Sequence, residues 1–124
     1  MIYFISGHRN ITDEEFLMHY APKILDALRD PNAEFVVGEC DGVDIMAQQF
    51  LNGLINKNDL TVYHIGDKPI NISGDWKTRG GYNDHIHRDS IMTKESDIDI
   101  FWIREWGQNS GTEQNIIRRS NNEF

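Results

Sequence analysis

Glu34-Phe35-Val36-Val37-Gly38-Glu39-Cys40-Asp41-Gly42-Val43-Asp44 runs from a short apolar segment through a loop of glycines and acids into a second apolar pattern of different period. Phe35, Val36 and Val37 are β-favouring and apolar without alternation, the profile of a strand buried on both faces, and Gly38 ends it. From Gly42 to Leu54, the residues Val43, Met46, Ala47, Phe50, Leu51 and Leu54 recur on one helical face, which predicts a helix there. A buried strand, a short turn and a helix form the unit from which parallel α/β domains are built.

The same unit recurs on either side. Ile2-Tyr3-Phe4-Ile5 reads as a first strand that opens at Ser6-Gly7. Thr12-Asp13-Glu14-Glu15 then starts a helix of about four turns on Phe16, Tyr20, Ile24 and Leu28, with Thr12 as its cap and Glu15 returning the bond. Asp30-Pro31-Asn32 ends that helix. Downstream, 60–65 is a third strand, and 83–95 is a helix with Ile86 and Met92 inward. Ile98 to Ile103 is a fourth strand, and the turn Gln108-Asn109-Ser110-Gly111-Thr112 leads into a last helix carrying Ile116 and Ile117. Residues 66–82 hold Gly66, Pro69, Gly74, Gly80 and Gly81 without an apolar period and read as a long functional or mobile loop, a candidate lid. The order β-α-β-α-β-loop-α-β-α predicts a single α/β domain over 1–124, with a short, mainly parallel sheet, right-handed crossovers and helices on both faces.

With 124 residues the chain can bury one core without disulfides or a structural metal. A net charge of −8 with no basic run disfavours nucleic acid as a partner, although a few aimed N–H groups and an arginine can still hold a small anion. Cys40 is the single cysteine, so an internal disulfide is excluded; lying between Glu39 and Asp41, its thiol should resist ionisation and reads as a packing residue. The N-terminal apolar run reaches polar residues after five positions, matching neither a signal peptide nor a membrane span, and a cytoplasmic location is expected. No histidine pair has the spacing of a helical zinc site, and His85 and His87 read as surface groups. Neither a Gly-x-Ser-x-Gly elbow, a phosphate-loop lysine motif nor a Cys-x-x-Cys pair occurs, and no cofactor is expected.

In an open parallel sheet, ligands bind beyond the carboxyl ends of the strands. Three loops fall there: Ser6-Gly7-His8-Arg9, Gly38-Glu39-Cys40-Asp41-Gly42 and Ser110-Gly111-Thr112-Glu113. Glycine admits backbone N–H groups close to a ligand, and the following helix aims its positive end at the same place, which is chemistry for phosphate. Ser110 and Thr112 can donate to a phosphoryl oxygen or cap the helix. Arg9 and Arg88 are the candidate anion clamps. Asp44 either favours the dipole of its helix or accepts ribose hydroxyls. Of the tryptophans, Trp102 reads as core, while Trp76 and Trp106 can stack on a base, contact a second subunit or fill the pocket.

Taken in order, Ser6-Gly7-His8-Arg9, Gly38 to Asp44 with Ala47, Asp75-Trp76-Lys77, Arg88 with Met92, Ser96-Asp97 and Ser110-Gly111-Thr112 make the chain resemble the SLOG superfamily. That is the Rossmann-like fold shared by Lonely guy phosphoribohydrolases and by small YspA/YpsA-related proteins. The resemblance implies a nucleotide or ribose phosphate held by the 38–42 and 111–112 loops, and a homodimer. The hydrolases carry Pro-Gly-Gly-x-Gly-Thr-x-x-Glu and an upstream arginine. Arg88 matches the arginine, but Asn115 stands at the glutamate position and Asn109-Ser110 replaces the doubled glycine. Glu113 either substitutes for that glutamate or is a dipole partner at the helix start. Three functions therefore stand open: a nucleotide-binding sensor, sequestering or accessory protein; a nucleotide N-glycosidic bond hydrolase or transferase using Glu113 and Arg88; and a protein-interaction domain that lost its ligand.

Overall fold

Five strands, β1 (Ile2–Ile5), β2 (Glu34–Val37), β3 (Leu60–Tyr63), β4 (Lys77–Arg79) and β5 (Ile98–Ile100), form one sheet in the order β4-β3-β2-β1-β5. The computed structural model describes residues 1–122, and every pairing in the sheet is parallel. The chain steps outward from β1 to β4 and then returns to add β5 on the far side of β1. The direction of winding thus reverses between β1 and β5, where adjacent loops splay apart and leave room for a ligand.

The pleat decides what each face buries. Ile5, Phe35, Val37, Val62 and Ile100 pack with Phe16, Tyr20, Ile24, Val43, Ala47 and Leu51, so that α1 (Asp13–His19), α2 (Ala21–Ala27) and α3 (Val43–Leu51) cover one face. Phe4, Val36 and Tyr63 pack on Met92 of α4 (His85–Glu95), and α5 (Gly111–Asn121) lies against α4 on the other face. Among the described residues, no helix is long and apolar enough to cross a membrane.

The capping box at Thr12 forms as expected: Glu15 N donates to Thr12 Oγ1 at 3.1 Å and Thr12 N donates to Glu15 Oε1 at 3.0 Å. The single helix expected after it is instead two. Tyr20 takes φ −114° between α1 and α2, and Pro22 in the first turn of α2 has no N–H to continue the ladder. Apolar spacing runs unbroken across the joint, so periodicity alone does not reveal it. Tyr20 Oη donates to Ser6 O at 2.8 Å and accepts from Trp102 N at 2.9 Å, joining the segments that leave β1 and β5.

Residues 66–82 also differ from the loop expected. They contain β4, an edge strand with all three residues exposed, whose Lys-Thr-Arg sequence carries no apolar signal. Trp76 just before it is buried in the main core and donates from Nε1 to Ser73 O at 2.8 Å. The fourth strand expected over 98–103 ends at Ile100, because Trp102 N bonds to a tyrosine hydroxyl rather than to a neighbouring strand. Ile86, expected inward, is exposed, and Ile117 of the last helix is exposed as well. The buried faces of α4 and α5 are instead partly polar, with Arg88, Thr112, Glu113 and Asn115 turned in.

Candidate functional site

Beyond the carboxyl ends of β1 and β2, a cleft of about 250 Å³ opens toward the N-termini of α4 and α5. Ser6, Gly7, His8 and Arg9 line it from the loop after β1, and Gly38 and Cys40 from the loop after β2. Asp44 enters from the first turn of α3; His85, Arg88 and Asp89 come from α4, and Ser110, Gly111, Thr112 and Asn115 from α5. Ten residues expected at a ligand therefore meet here: Ser6, Gly7, His8, Arg9, Gly38, Asp44, Arg88, Ser110, Gly111 and Thr112. Glu39, Gly42 and Glu113 do not line the cleft.

Arg88 is the centre of the site and is 96% buried as the complement of its 4% exposure. Its Nε donates to Asp89 Oδ1 at 3.1 Å, and its Nη2 lies 3.1 Å from the same oxygen. Nη1 is buried and has no hydrogen-bond partner among the described residues, and the same holds for Ser6 Oγ on the opposite wall. A buried donor left unmade costs about 1–3 kcal/mol, more when charged, so two such atoms on one cleft point to a polar occupant. Gly38 makes room for this arrangement: a Cβ there would lie 2.7 Å from Asp44 Oδ2 and 3.1 Å from Arg88 Cζ.

Asp44 accepts from Cys40 N through Oδ2 at 3.1 Å. Burial pushes its carboxyl up to about 7, against the opposing pull of that N–H and of Arg88. Burial likewise raises Asp89, while Arg88 holds it down. The Cys40 thiol is raised first by burial and then by Asp44, so it resists ionisation as expected, but through these two causes rather than through its sequence neighbours. His8 is lowered by burial and then by Arg104; its neutral Nε2 accepts from Arg104 N at 2.9 Å. Arg104 also grips Glu15 at 2.9 and 2.6 Å, fixing the β1 loop to α1, a joint no local pattern announces because its partners lie far apart in sequence.

Ser110 caps α5, its Oγ accepting from Glu113 N at 3.1 Å. The carboxylate of Glu113, one candidate for catalysis, accepts from Gly107 N at 3.2 Å and Gln108 N at 3.1 Å, closing the turn before α5, and the residue does not line the cleft. Glu113→Gln should therefore lower stability by about 1–2 kcal/mol in denaturant unfolding and leave the cleft residues in place. Asn115 lines the cleft, its Oδ1 accepting from Arg118 at 2.8 Å. Glu39 is buried and accepts from Ile70 N at 3.0 Å, and Asp41 accepts from Asn71 at 3.1 Å, so both acids anchor the loop after β3. Neither Trp76 nor Trp106 lines the cleft. Among the described residues, no cluster of three or more His, Cys, Asp or Glu side chains is arranged to hold a metal.

Comparison with protein-family models, curated proteins and solved structures gives no match.

The chemistry of the cleft is that of a polar recess with one deeply set cation. No sequence signal marks Asp89, since an acid following an arginine on a helix has no pattern of its own. Its partnership with Arg88 exists because both turn inward at the start of α4.

Proposed function

We propose that this cleft binds a nucleotide or a related ribose phosphate, and that the protein acts as a sensor, sequestering or accessory module rather than as a catalyst. The observation that carries the reading is the unpartnered Nη1 of buried Arg88, facing the same space as the unpartnered Ser6 Oγ. Guanidinium suits phosphate because its planar donors match two phosphoryl oxygens. The start of α5 supports the same ligand, with Gly111 and Thr112 on the cleft wall and the positive end of an 11-residue helix behind them. The resemblance to SLOG proteins favours the same ligand class. Hydrolysis of the N-glycosidic bond would ask for a free carboxylate from Glu113, and both of its oxygens are occupied by backbone N–H groups.

Titration calorimetry with nucleoside monophosphates, cyclic nucleotides and ADP-ribose tests the proposal. Saturable binding of at least one, with a dissociation constant in the range of about 1 to 100 µM, is expected. No heat from any of them at about 1 mM ligand would remove it.

A further inference from the structure

Arg88 does not stand in its cleft as a free cation. Its Nε and Nη2 are both turned to Asp89, and Asp44 lies beside the same guanidinium over the bare backbone of Gly38. An anion that reaches Nη1 thus enters next to two buried carboxyl groups. At contact distance, each like-charge pair opposes binding by an amount comparable to what one guanidinium returns. One carboxyl must therefore become neutral. At Asp89 two contacts from Arg88 oppose the rise that burial gives, whereas Asp44 has one backbone N–H on Oδ2 and no ion pair among the described residues.

Resting on the phosphate reading of the cleft, we propose that anion binding here is coupled to uptake of one proton by the Asp44 carboxyl. The proton removes one repulsion and turns an acceptor into a donor on the cleft wall, where an O–H···O⁻ bond to the anion is of the strong, charge-assisted kind. The balance is simple: protein, anion and one proton from solvent give the complex, and no covalent bond changes.

The groups facing Asp44 do not undo this. From the loop after β1 come His8, lowered by burial and already an acceptor from Arg104 N, and Arg9. From the loop after β2 comes the Cys40 thiol, raised by burial. From α4 come His85, lowered by burial and then by Arg88 and Arg9, together with Arg88 and Asp89. Tyr20, between α1 and α2, feels Asp44 and is raised by burial, so it stays neutral. Arg118 of α5 acts on Asp89. Burial already holds Asp44 near neutrality in the unliganded chain, so the proton is taken up at little cost near neutral pH, and the bound anion then holds the carboxyl protonated well above that value.

The test is calorimetry of the full chain from about pH 5.5 to 9, with AMP and with inorganic sulfate, which does not titrate in that range, in two buffers of different ionisation enthalpy. The expected result is an association constant that falls about tenfold per pH unit above about 7, with close to one proton taken up per ligand at about pH 8. Asp44→Asn should bind sulfate about 30-fold tighter than the parent at about pH 8.5, with no pH slope. Binding that is flat in pH with no proton uptake overturns the coupling and leaves the phosphate site standing. No binding of sulfate or of any of the nucleotides named for the proposed function, at any pH, overturns the phosphate reading and the coupling together. Should the Asp44 variant not fold, the proton count on the parent chain decides alone.

Discussion

Gly42→Ala is expected to destabilise the protein by on the order of 3–5 kcal/mol, read as a lowered midpoint in denaturant, and to abolish ligand binding. Gly42 has φ +79° and ψ −126°, a conformation closed to side chains. A Cβ there would stand 2.3 Å from His8 O and 2.6 Å from Arg9 O, both backbone atoms that cannot swing aside. The loops after β1 and β2 would have to separate, breaking the bond from Val43 N to His8 O at 3.2 Å and parting the two walls that carry Ser6 and Asp44. Gly53 is the control. It has φ +87° but nothing within 4 Å of its would-be Cβ, so Gly53→Ala should cost only about 1 kcal/mol for the backbone strain. A Gly42 variant no worse than the Gly53 variant would show that the two loops are not locked at this point.

Arg88→Leu should weaken nucleotide binding by about 100-fold or more, because a desolvated, charge-bearing donor is removed from the centre of the cleft. Its effect on stability should depend on pH. Asp44 and Asp89 would remain buried without their cation, at a cost of about 3–5 kcal/mol while ionised. A carboxyl whose folded pKa lies above its unfolded value binds more protons in the native state, so stability falls as pH rises from the unfolded value near 4 toward the folded value. For Asp44 that window already reaches about 7 with Arg88 present, and loss of the arginine extends it upward. The variant should thus lie close to the parent at about pH 5 and far below it at about pH 8. Arg88→Lys keeps the charge but not the fork, and is expected to recover stability more than affinity. Equal stability loss at both pH values would mean that the carboxyls are not what Arg88 balances.

Much of the architecture is legible in the chain because burial leaves a period. Ile2–Ile5 and Glu34–Val37 are strands in the ranges their apolar runs indicate, and Val43, Ala47 and Leu51 turn inward on α3 at helical spacing. The strand-end location of the site follows from the same pattern, since glycine-rich turns sit where strands hand over to helices, and Ser6, Arg9, Gly38, Asp44 and Thr112 do meet in one cleft. Where burial is absent or polar, the period fails. β4 is wholly exposed and reads as loop, and the inward faces of α4 and α5 are polar at the cleft, so Ile86 faces outward against the apolar period.

Glycine spacing marked the 38–42 loop, but its two glycines turn out to act differently, one clearing space for Asp44 and Arg88 and the other locking two backbones together. Local pattern reports which residues are buried along one element; it carries no information on distances between elements. Whether Glu113 or Asp44 meets the ligand, which edge of Arg88 is left open, and how Arg104 reaches His8 depend on such distances, and these exist only once the strands have paired and the helices have docked.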